Sequence, residues 1–250
     1  MDASGKQKWR IIVDFRRLND HTVGDAYPLP NIEEILDQLG RSRYFTTLDL
    51  ASGFHQIKIK RKDRPKTAFS TSHGHFEWIR MPFGLKNAPA TFQRLMNAVL
   101  SGYQGLQAFV YLNDIIIYAS DLEEHRKRLK NIFQRLRDNN LRLQPDKCEF
   151  LRKEVAYLGH VITEHGVKPN PNIKNIQEIT QPQSVKQLQA YLRLVGYYRR
   201  FIKDFAYIAK PLTNLLKKDT PYVWSADQES AFLTFQKILT SDSLLQYPNF

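Results

Sequence analysis

Residues 108–119 form an apolar run that is interrupted in its middle by Asn113 and Asp114. Because Asn and Asp favour turns, this pattern predicts two β-strand halves joined at a bend. A carboxylate inside an apolar run is costly to bury unless it is paired or binds a metal, so Asp114 needs a physical reason to be there. The run therefore restricts the chain to folds that contain a hairpin with an acidic tip.

A second carboxylate, Asp49, lies near the end of another apolar strand pattern over residues 44–50, just before the small residues 51–53. If the acidic tip of the hairpin lies beside the end of that strand, both carboxylates come within reach of shared Mg²⁺ ions, as nucleotidyl transfer requires. The alternative is that Asn113 and Asp114 form a β-turn and nothing more. On spacing alone the simple turn is the favoured interpretation.

The charge of the chain narrows the class of partner. Its 250 residues are 42% hydrophobic, which is enough for one or two packed cores, and its formal net charge of +12 favours polyanions. A single cysteine, Cys148, excludes an intramolecular disulfide and a Cys-rich zinc site. No apolar run approaches the ~20 residues of a membrane span, and no signal-peptide pattern is visible. We therefore expect a soluble, intracellular chain with no membrane partner.

The pattern of elements changes near residues 166–171. Strand and helix patterns alternate before this point, whereas helical patterns alone follow it. We predict a mixed α+β part over residues 1–168 and an all-α part over residues 169–250. The predicted strands cover residues 9–15, 44–50, 54–60, 66–70, 75–80, 108–119, 141–143 and 155–162. The predicted helices cover residues 31–40, 89–100, 121–139, 184–198, 207–216 and 226–239.

Eight segments occur in the order found in one known family, and they span nearly the whole chain. They are residues 8–19, 27–30, 48–57, 81–93, 110–115, 146–150, 157–160 and 194–202. Chance occurrence of all eight in this order is negligible. The chain resembles the reverse transcriptases of gypsy-like LTR retrotransposons.

The resemblance implies a fold and an activity. The fold would be α+β, a right-hand polymerase palm with partial fingers over residues 1–168, followed by an all-α thumb or connection region over residues 169–250. The activity would be that of an RNA-directed DNA polymerase, the reverse transcriptase domain of a retrotransposon Pol polyprotein. Such a domain extends a primer with deoxynucleotides by nucleotidyl transfer at two metal ions.

The resemblance also implies a metal site. Asp49 matches the first metal-binding aspartate of the palm, and Asp114 matches the last residue of the Tyr-x-Asp-Asp turn of the family. These two residues would bind two Mg²⁺ ions, with Mn²⁺ as an alternative. Asn113 occupies the remaining aspartate position of that turn, so the catalytic set here is Asp49, Asp114 and the substituted Asn113.

Nucleotide and primer contacts follow from the same resemblance. Arg10 matches a residue that holds the incoming triphosphate, although its pattern alone indicates a surface charge at a strand edge. Phe54 matches the ring that excludes a ribose 2′-hydroxyl, although it has equally the pattern of a core residue. Phe83-Gly84 would line the nucleotide pocket. Leu158-Gly159 would contact the primer end, although the pattern alone indicates a turn between two strands.

Two departures from the family put catalysis in doubt. An amide at Asn113 is a weaker ligand for Mg²⁺ than a carboxylate and does not offset its charge. In the family, a fingers segment precedes the part that matches residues 5–9 and an RNase H domain follows the part that matches residues 248–250, so we expect this chain to be a fragment, a decayed copy or a piece cut from a longer polyprotein. We therefore expect either an active nucleotidyltransferase or a catalytically impaired remnant that binds template and primer.

The expected partners are a primed RNA or DNA template and deoxynucleoside triphosphates. The basic residues of the predicted helices suit a thumb that lies along a nucleic-acid duplex. In a full-length polyprotein, adjoining RNase H, protease and integrase domains are expected. An intact element would place the chain in the cytoplasm, inside virus-like particles.

Overall fold

The structure is a computed structural model that describes residues 12–40, 42–170 and 179–241. The chain divides into two compact units, Met1–Arg152 and Lys153–Phe250. This division falls earlier in the chain than residue 168. The boundary at residue 168 was predicted from the change in element pattern, and as a domain boundary it stays a prediction.

The first unit contains a four-stranded sheet, a short hairpin and helices. Its strands are β1 (Tyr44–Asp49), β2 (Phe69–Thr71), β3 (Gly74–Phe76), β4 (Ala108–Tyr111), β5 (Asp114–Ala119) and β6 (Glu149–Arg152). Its α-helices are α1 (Arg16–Asp20), α2 (Ile32–Gln38), α3 (Ala88–Val99) and α4 (Leu122–Asp138). Short 3-10 helices cover Gly53–Gln56, Arg61–Thr67 and Pro145–Lys147.

The four-stranded sheet has the order β4-β5-β1-β6, and its paired strands are antiparallel. The apolar run with the acidic interruption is the β4-β5 hairpin, as predicted. Tyr111 pairs with Asp114, so Leu112 and Asn113 alone connect the two strands. Strand β5 is buried on both faces, since Ile115, Ile116 and Ile117 are all fully buried. This explains why its sequence is continuously apolar rather than alternating.

Helices α3 and α4 complete the core of the first unit. Met96 of α3 and Ile132 and Leu136 of α4 belong to the same buried apolar cluster as Ile117 of β5. The start of α4 is set by Asp121, whose side chain accepts a hydrogen bond from a backbone N–H of the first turn. The sheet edge that carries the two acidic residues is therefore supported by packed helices.

The predicted strand over residues 54–60 is wrong in its first half. Gly53–Gln56 forms a 3-10 helix instead. The alternating pattern is misleading because Phe54 turns inward to pack against two other phenylalanine rings. The second half is extended as predicted, and Lys58 forms a bridge with Arg80.

Other predicted strands are shorter than expected or absent. The strands predicted over residues 66–70 and 75–80 are present only as the short hairpin of β2 and β3. The first strand begins later than predicted because Arg61–Thr67 is a 3-10 helix. In place of a strand over 141–143, Leu143 forms an isolated bridge with Leu50. Residues 12–15 are irregular, and the rest of the predicted strand 9–15 lies outside the described residues.

The second unit contains a three-stranded antiparallel sheet followed by helices. Its strands are β7 (Glu154–Tyr157), β8 (His160–Thr163) and β9 (Gly166–Pro169), and they lie in this order. Its helices are α5 (Val185–Tyr197), α6 (Phe205–Asn214) and α7 (Ala226–Thr240), with a 3-10 helix at Arg199–Phe201. These helices agree with the three predicted ones. They pack around a separate apolar cluster that includes Leu188, Leu212 and Phe235. Within the described residues, no helix is long and apolar enough to cross a membrane.

Candidate functional site

The two carboxylates singled out in the sequence lie side by side. Asp49 is the last residue of β1, Asp114 is the first residue of β5, and the two are direct partners in the antiparallel register. Directly opposed residues of antiparallel strands have Cα atoms ~4.5–5.5 Å apart, so their side chains are neighbours. The predicted adjacency of Asp49 and Asp114 is confirmed, and their role as metal ligands stays a prediction.

The electrostatics of this pair suit a bound cation. Partial burial and the nearby charge of Asp49 raise the pKa of Asp114 to about 6, against the opposing effect of the Lys147 ammonium. The Lys147 Nζ lies 3.5 Å from Asp49 Oδ2. A carboxyl pKa raised by burial and a like charge marks a place where a positive charge would be stabilising. Sequence reasoning did not select Lys147 as a site residue, although it lies in one of the eight family-like segments, residues 146–150.

Asn113 completes the group in a way that a carboxylate would not. Its Nδ2 donates a hydrogen bond to Asp49 Oδ2 at 3.2 Å. An ionised aspartate at the same position is an acceptor and would repel Asp49 instead. Within residues 12–40, 42–170 and 179–241, no group of three or more His, Cys, Asp or Glu side chains could hold a metal ion. The group therefore consists of two carboxylates, one amide and one ammonium.

The turn that carries Asn113 has an unusual backbone. Leu112 has φ +54°, in the left-handed region that non-glycine residues rarely adopt. Such a conformation costs on the order of 1–3 kcal/mol and persists when surrounding contacts enforce it. Two residues are the usual minimum for a hairpin connection. The backbone conformation of Leu112 therefore directly determines the positions of Asn113 and Asp114.

A cavity of about 180 Å³ opens next to this group. Its lining residues are Asp49, Leu50, Ser52, Gly53, Phe54, Phe83, Asn113 and Lys147. Gly53 is required by close approach, because a Cβ atom there would lie 2.8 Å from Phe92 Cζ and 3.3 Å from Asn113 Cβ. The cavity thus has acidic and basic groups at one wall and aromatic rings at another.

Most of the predicted nucleotide-binding residues lie at or beside this cavity. The Phe54 and Phe83 rings both line it, with their centroids 5.4 Å apart. The Phe54 and Phe92 ring centroids are also 5.5 Å apart. Phe54 is therefore both a packed core residue and a residue of the cavity lining. Gly84 follows Phe83 with φ +93°, a conformation that favours glycine. Arg10 lies outside the described residues, and its role stays a prediction.

An asparagine that sequence reasoning did not select holds Gly84 in place. The Asn19 Nδ2 donates to the carbonyl oxygen of Gly84 at 2.8 Å, and the Lys86 backbone N–H donates to Asn19 Oδ1 at 2.8 Å. The side-chain amide therefore pairs with the backbone on both sides of Leu85, much as a neighbouring strand would. This contact joins the segment before α2 to the loop before α3.

The predicted primer contact, Leu158-Gly159, lies in the second unit as the turn between β7 and β8. Both residues have positive φ, +46° and +73°. Tyr197 Oη donates to the carbonyl oxygen of Leu158 at 2.7 Å, and Tyr198 Oη donates to that of Gly159 at 3.1 Å. These tyrosines, 39 residues away in the chain, fix the backbone of the turn. Sequence reasoning treated them as packing residues only.

His160 adds a third contact to the same turn. Its ring lies 5.3–5.6 Å from those of Tyr197, Tyr198 and Phe201. Burial lowers the pKa of His160 to about 4, so the ring is neutral at physiological pH. Because a carbonyl oxygen can only accept, the Nδ1–H donates to Leu158 O at 2.8 Å.

Comparison with known proteins identifies the family. Residues 2–162 match the profile of the family described as reverse transcriptase (RNA-dependent DNA polymerase). The chain belongs to the reverse transcriptase family. The gypsy-like resemblance is thereby confirmed, and the activity of the family is RNA-directed DNA polymerisation.

Two Drosophila melanogaster relatives illustrate the similarity. The Retrovirus-related Pol polyprotein from transposon 297 is 49% identical over 251 residues, which cover 100% of this chain and 24% of the relative. The polyprotein from transposon gypsy is 40% identical over 262 residues, which cover 100% of this chain and 25% of the relative. The chain thus spans about a quarter of the length of these curated relatives.

Solved structures of a reverse transcriptase share the fold. The foamy viral protease-reverse transcriptase in complex with dsDNA has a TM-score of 0.84 and 29% identity, over 97% of this chain and 51% of that one. The same enzyme in complex with an RNA/DNA hybrid has a TM-score of 0.82 and 29% identity, over 97% of this chain and 33% of that one. The predicted α+β polymerase fold is confirmed.

Proposed function

We propose that this member of the reverse transcriptase family extends a primer with deoxynucleotides at a site formed by Asp49 and Asp114. The observation that carries the proposal is their cross-strand pairing beside a cavity lined by Phe54 and Phe83. A carboxylate pair supplies the hard oxygen ligands that Mg²⁺ and Mn²⁺ prefer. The two aromatic rings, tilted by 52° to each other, supply apolar surface suited to a sugar and a base.

The residues of the site fit a divalent cation. Burial raises the pKa of Asp114 most and the nearby Asp49 carboxylate raises it further, and a cation between the two carboxylates would favour their charged forms. When bound, the metal ions would stabilise the negative charge that develops during phosphoryl transfer. The Lys147 ammonium adds a positive charge to the cavity wall, which suits the phosphates of a nucleotide.

Asn113 favours a second candidate function, binding of template and primer without efficient chemistry. Its amide donates to Asp49 Oδ2, so one carboxylate oxygen is engaged by a hydrogen-bond donor rather than open to a cation. The amide also leaves the site one negative charge short of the Tyr-x-Asp-Asp pattern. A two-metal site would therefore bind its second ion weakly in this chain.

The proposed partners are a primed RNA or DNA template and deoxynucleoside triphosphates. The formal net charge of +12 supports a polyanionic partner. The titles of the similar solved structures name dsDNA and an RNA/DNA hybrid, which supports a duplex as the bound form. We propose that protease, RNase H and integrase domains adjoin this one in a full-length polyprotein.

A primer-extension assay separates the two functions. The Asn113→Asp protein should extend a primer in Mg²⁺ or Mn²⁺, and Asn113→Asp combined with Asp114→Asn should not. All three proteins, including the unmodified chain, should bind primer-template alike, which a filter-binding or anisotropy titration measures. Extension that survives Asp114→Asn would overturn the assignment of the site. Binding without extension in every variant would favour the second function.

A further inference from the structure

A buried glutamine contacts the turn between β4 and β5. Gln93, on α3, has 0% of its surface exposed. A long polar side chain is rarely buried so completely, because each of its polar atoms must find a partner to offset the loss of water. Gln93 has one carbonyl oxygen and two N–H donors to satisfy. The hydrogen-bond partners of Gln93 therefore show which part of the structure it supports.

The amide of Gln93 pairs with the backbone on both sides of Tyr111. The Leu112 backbone N–H donates to Gln93 Oε1 at 2.8 Å, and Gln93 Nε2 donates to the carbonyl oxygen of Val110 at 3.1 Å. This is the pattern that a neighbouring parallel strand would make, with one bond to residue i and one to residue i+2. Within the residues that the structure describes, β4 is an edge strand of its sheet, so the Gln93 side chain bonds to backbone groups that no named strand pairs there.

The orientation of the amide is determined by its surroundings. The remaining N–H of Gln93 Nε2 donates to Asn97 Oδ1 at 2.9 Å, and Asn97 Nδ2 donates to Tyr27 Oη at 2.7 Å. Because a backbone N–H needs an acceptor, the oxygen of Gln93 must face Leu112. Donation along this series therefore runs from the Leu112 N–H through Gln93 and Asn97 of α3 to Tyr27 Oη.

The contact falls at the point where the turn needs support. Leu112 is held at φ +54° and is followed at once by Asn113 and Asp114. Loss of the bond to Leu112 would let the turn relax toward an ordinary backbone conformation and would move Asp114 relative to Asp49. Gln93 also adjoins Phe92 on α3, whose ring limits the space at Gly53. The same helix thus supports both the acidic turn and the aromatic wall of the cavity.

We propose that Gln93 is a positioning residue of the polymerase site, which holds the Leu112-Asn113 turn so that Asp114 stays opposite Asp49. The inference rests on the proposed function for its effect on catalysis. The contact with Leu112 itself is independent of that function. A test must therefore measure the hydrogen bond to Leu112 and the effect on catalysis separately.

Hydrogen exchange of the Leu112 amide measures whether its hydrogen bond to Gln93 is formed. Gln93→Met keeps the length of the side chain and removes its hydrogen bonds, and we expect Leu112 exchange to accelerate at least ~10-fold. The matched control is Met96→Leu, an equally buried site on α3, which should leave Leu112 protected. Exchange at the rate of the unmodified protein in Gln93→Met would overturn the proposal.

A conservative variant covers the case in which Gln93→Met does not fold. In Gln93→Glu, a protonated carboxyl can accept from Leu112 and donate to Val110, whereas the ionised form would repel the Val110 carbonyl oxygen. Protection of Leu112, relative to the unmodified protein at the same pH, should fall as pH rises. Protection that is equal to that of the unmodified protein at every pH would contradict the role of the Val110 contact.

Primer extension in the Asn113→Asp background reads the effect on catalysis. Gln93→Met should lower kcat by ~10–100-fold, the cost of a misplacement of about 1 Å, while the Kd for primer-template stays the same. Met96→Leu should retain kcat. Fast Leu112 exchange combined with an unchanged kcat would overturn the positioning role. An inactive Asn113→Asp protein would instead contradict the proposed function, and Leu112 exchange would still decide the contact.

Discussion

Asn113 is the residue at which the sequence departs from the Tyr-x-Asp-Asp pattern that the family resemblance implies. In that pattern a carboxylate would stand where Asn113 has a neutral amide, which removes one negative charge from the group. The Lys147 ammonium beside Asp49 offsets a second negative charge, so less negative charge is left to attract metal ions. The amide also stabilises the metal-free arrangement by its hydrogen bond to Asp49. We infer that the site is more stable without metal than a Tyr-x-Asp-Asp site would be.

Asn113→Asp should raise the rate of primer extension by at least ~10²–10³-fold, the range observed when one preorganised electrostatic partner is lost elsewhere. The affinity for Mn²⁺, measured by electron paramagnetic resonance, should rise in the same variant. Primer-template affinity should hardly change, because it depends on phosphate contacts away from the metals. Equal extension by the unmodified chain and by Asn113→Asp would refute this account of the metal site.

Phe54 supplies a second prediction at this scale. Its ring lines the cavity and is held against Phe83 and Phe92, so it has little freedom to move away from a ribose 2′-hydroxyl. In the Asn113→Asp background, Phe54→Ala should reduce the preference for deoxynucleotides over ribonucleotides at least ~10-fold, or ~1.4 kcal/mol. Competition assays with paired nucleotides measure this ratio.

The matched control is Phe150→Ala, which truncates an exposed phenylalanine that does not line the cavity. This variant should keep the nucleotide preference of its parent protein. If Phe54→Ala keeps it as well, selection against ribonucleotides resides in another residue.

At the scale of single elements, short turns carry most of the proposed site. The Leu112-Asn113 and Leu158-Gly159 connections each have two residues, and each contains positive φ values. In both cases side chains from a distant helix bond to the backbone of the turn. Side chains of α3 and α5 thus support the positive φ of Leu112 and of Leu158, which these two residues do not favour by themselves.

The turn between β7 and β8 makes the stability of the second unit sensitive to acid. Burial lowers the pKa of His160 to about 4 from an ordinary value of 6.5, so the folded state favours the neutral ring. Its contribution to stability is complete above pH 6.5 and is lost as pH falls from 6.5 to about 4. The loss should be on the order of 3 kcal/mol at most.

Urea unfolding at pH 7 and at pH 5 measures this effect. Between these values, His160→Gln should lose less stability than the unmodified protein does. His165→Gln, which removes an exposed histidine of the same unit, should behave like the unmodified protein. The comparison between variants is needed because Asp114 has the opposite effect on stability. Its raised pKa stabilises the first unit as pH falls through about 6. An identical pH dependence in all three proteins would exclude His160 as the cause.

On the scale of the whole molecule, charge rather than shape governs the expected affinity for nucleic acid. The net charge of +12 includes basic residues of the second unit, among them Lys186 and Arg193 on α5 and Lys203 in the turn before α6. When binding releases condensed counterions, the logarithm of the association constant falls linearly with the logarithm of the salt concentration.

The Kd for primer-template should therefore rise steeply between 50 and 200 mM salt, with a log-log slope of about 0.9 for each duplex phosphate neutralised. Replacing Arg193 and Lys203 together by glutamine should reduce this slope by up to about two. Fluorescence anisotropy titrations at several salt concentrations measure it. An affinity that does not change with ionic strength would contradict an electrostatic mode of binding.

The sequence alone predicted the elements whose patterns are local. The apolar run of β5, the acidic interruption at residues 113–114 and the three helices of the second unit all follow from periodicity and turn preference within short windows. The adjacency of Asp49 and Asp114 needed one further step, the assumption that the hairpin tip lies beside the end of β1. That step was supported by the motif order, and the register confirmed it.

The tertiary structure alone decided the contacts that join distant parts of the chain. Gln93 and Leu112 are 19 residues apart, Asn113 and Asp49 are 64 apart, and Tyr198 and Gly159 are 39 apart. Such pairs leave no periodic signal, because each residue type is compatible with many partners. The strand predicted over residues 54–60 is wrong at Gly53–Gln56 for the same reason, since the two rings that Phe54 packs against belong to later segments. Local patterns specify elements, whereas the partners of buried polar and aromatic side chains are determined by how those elements pack.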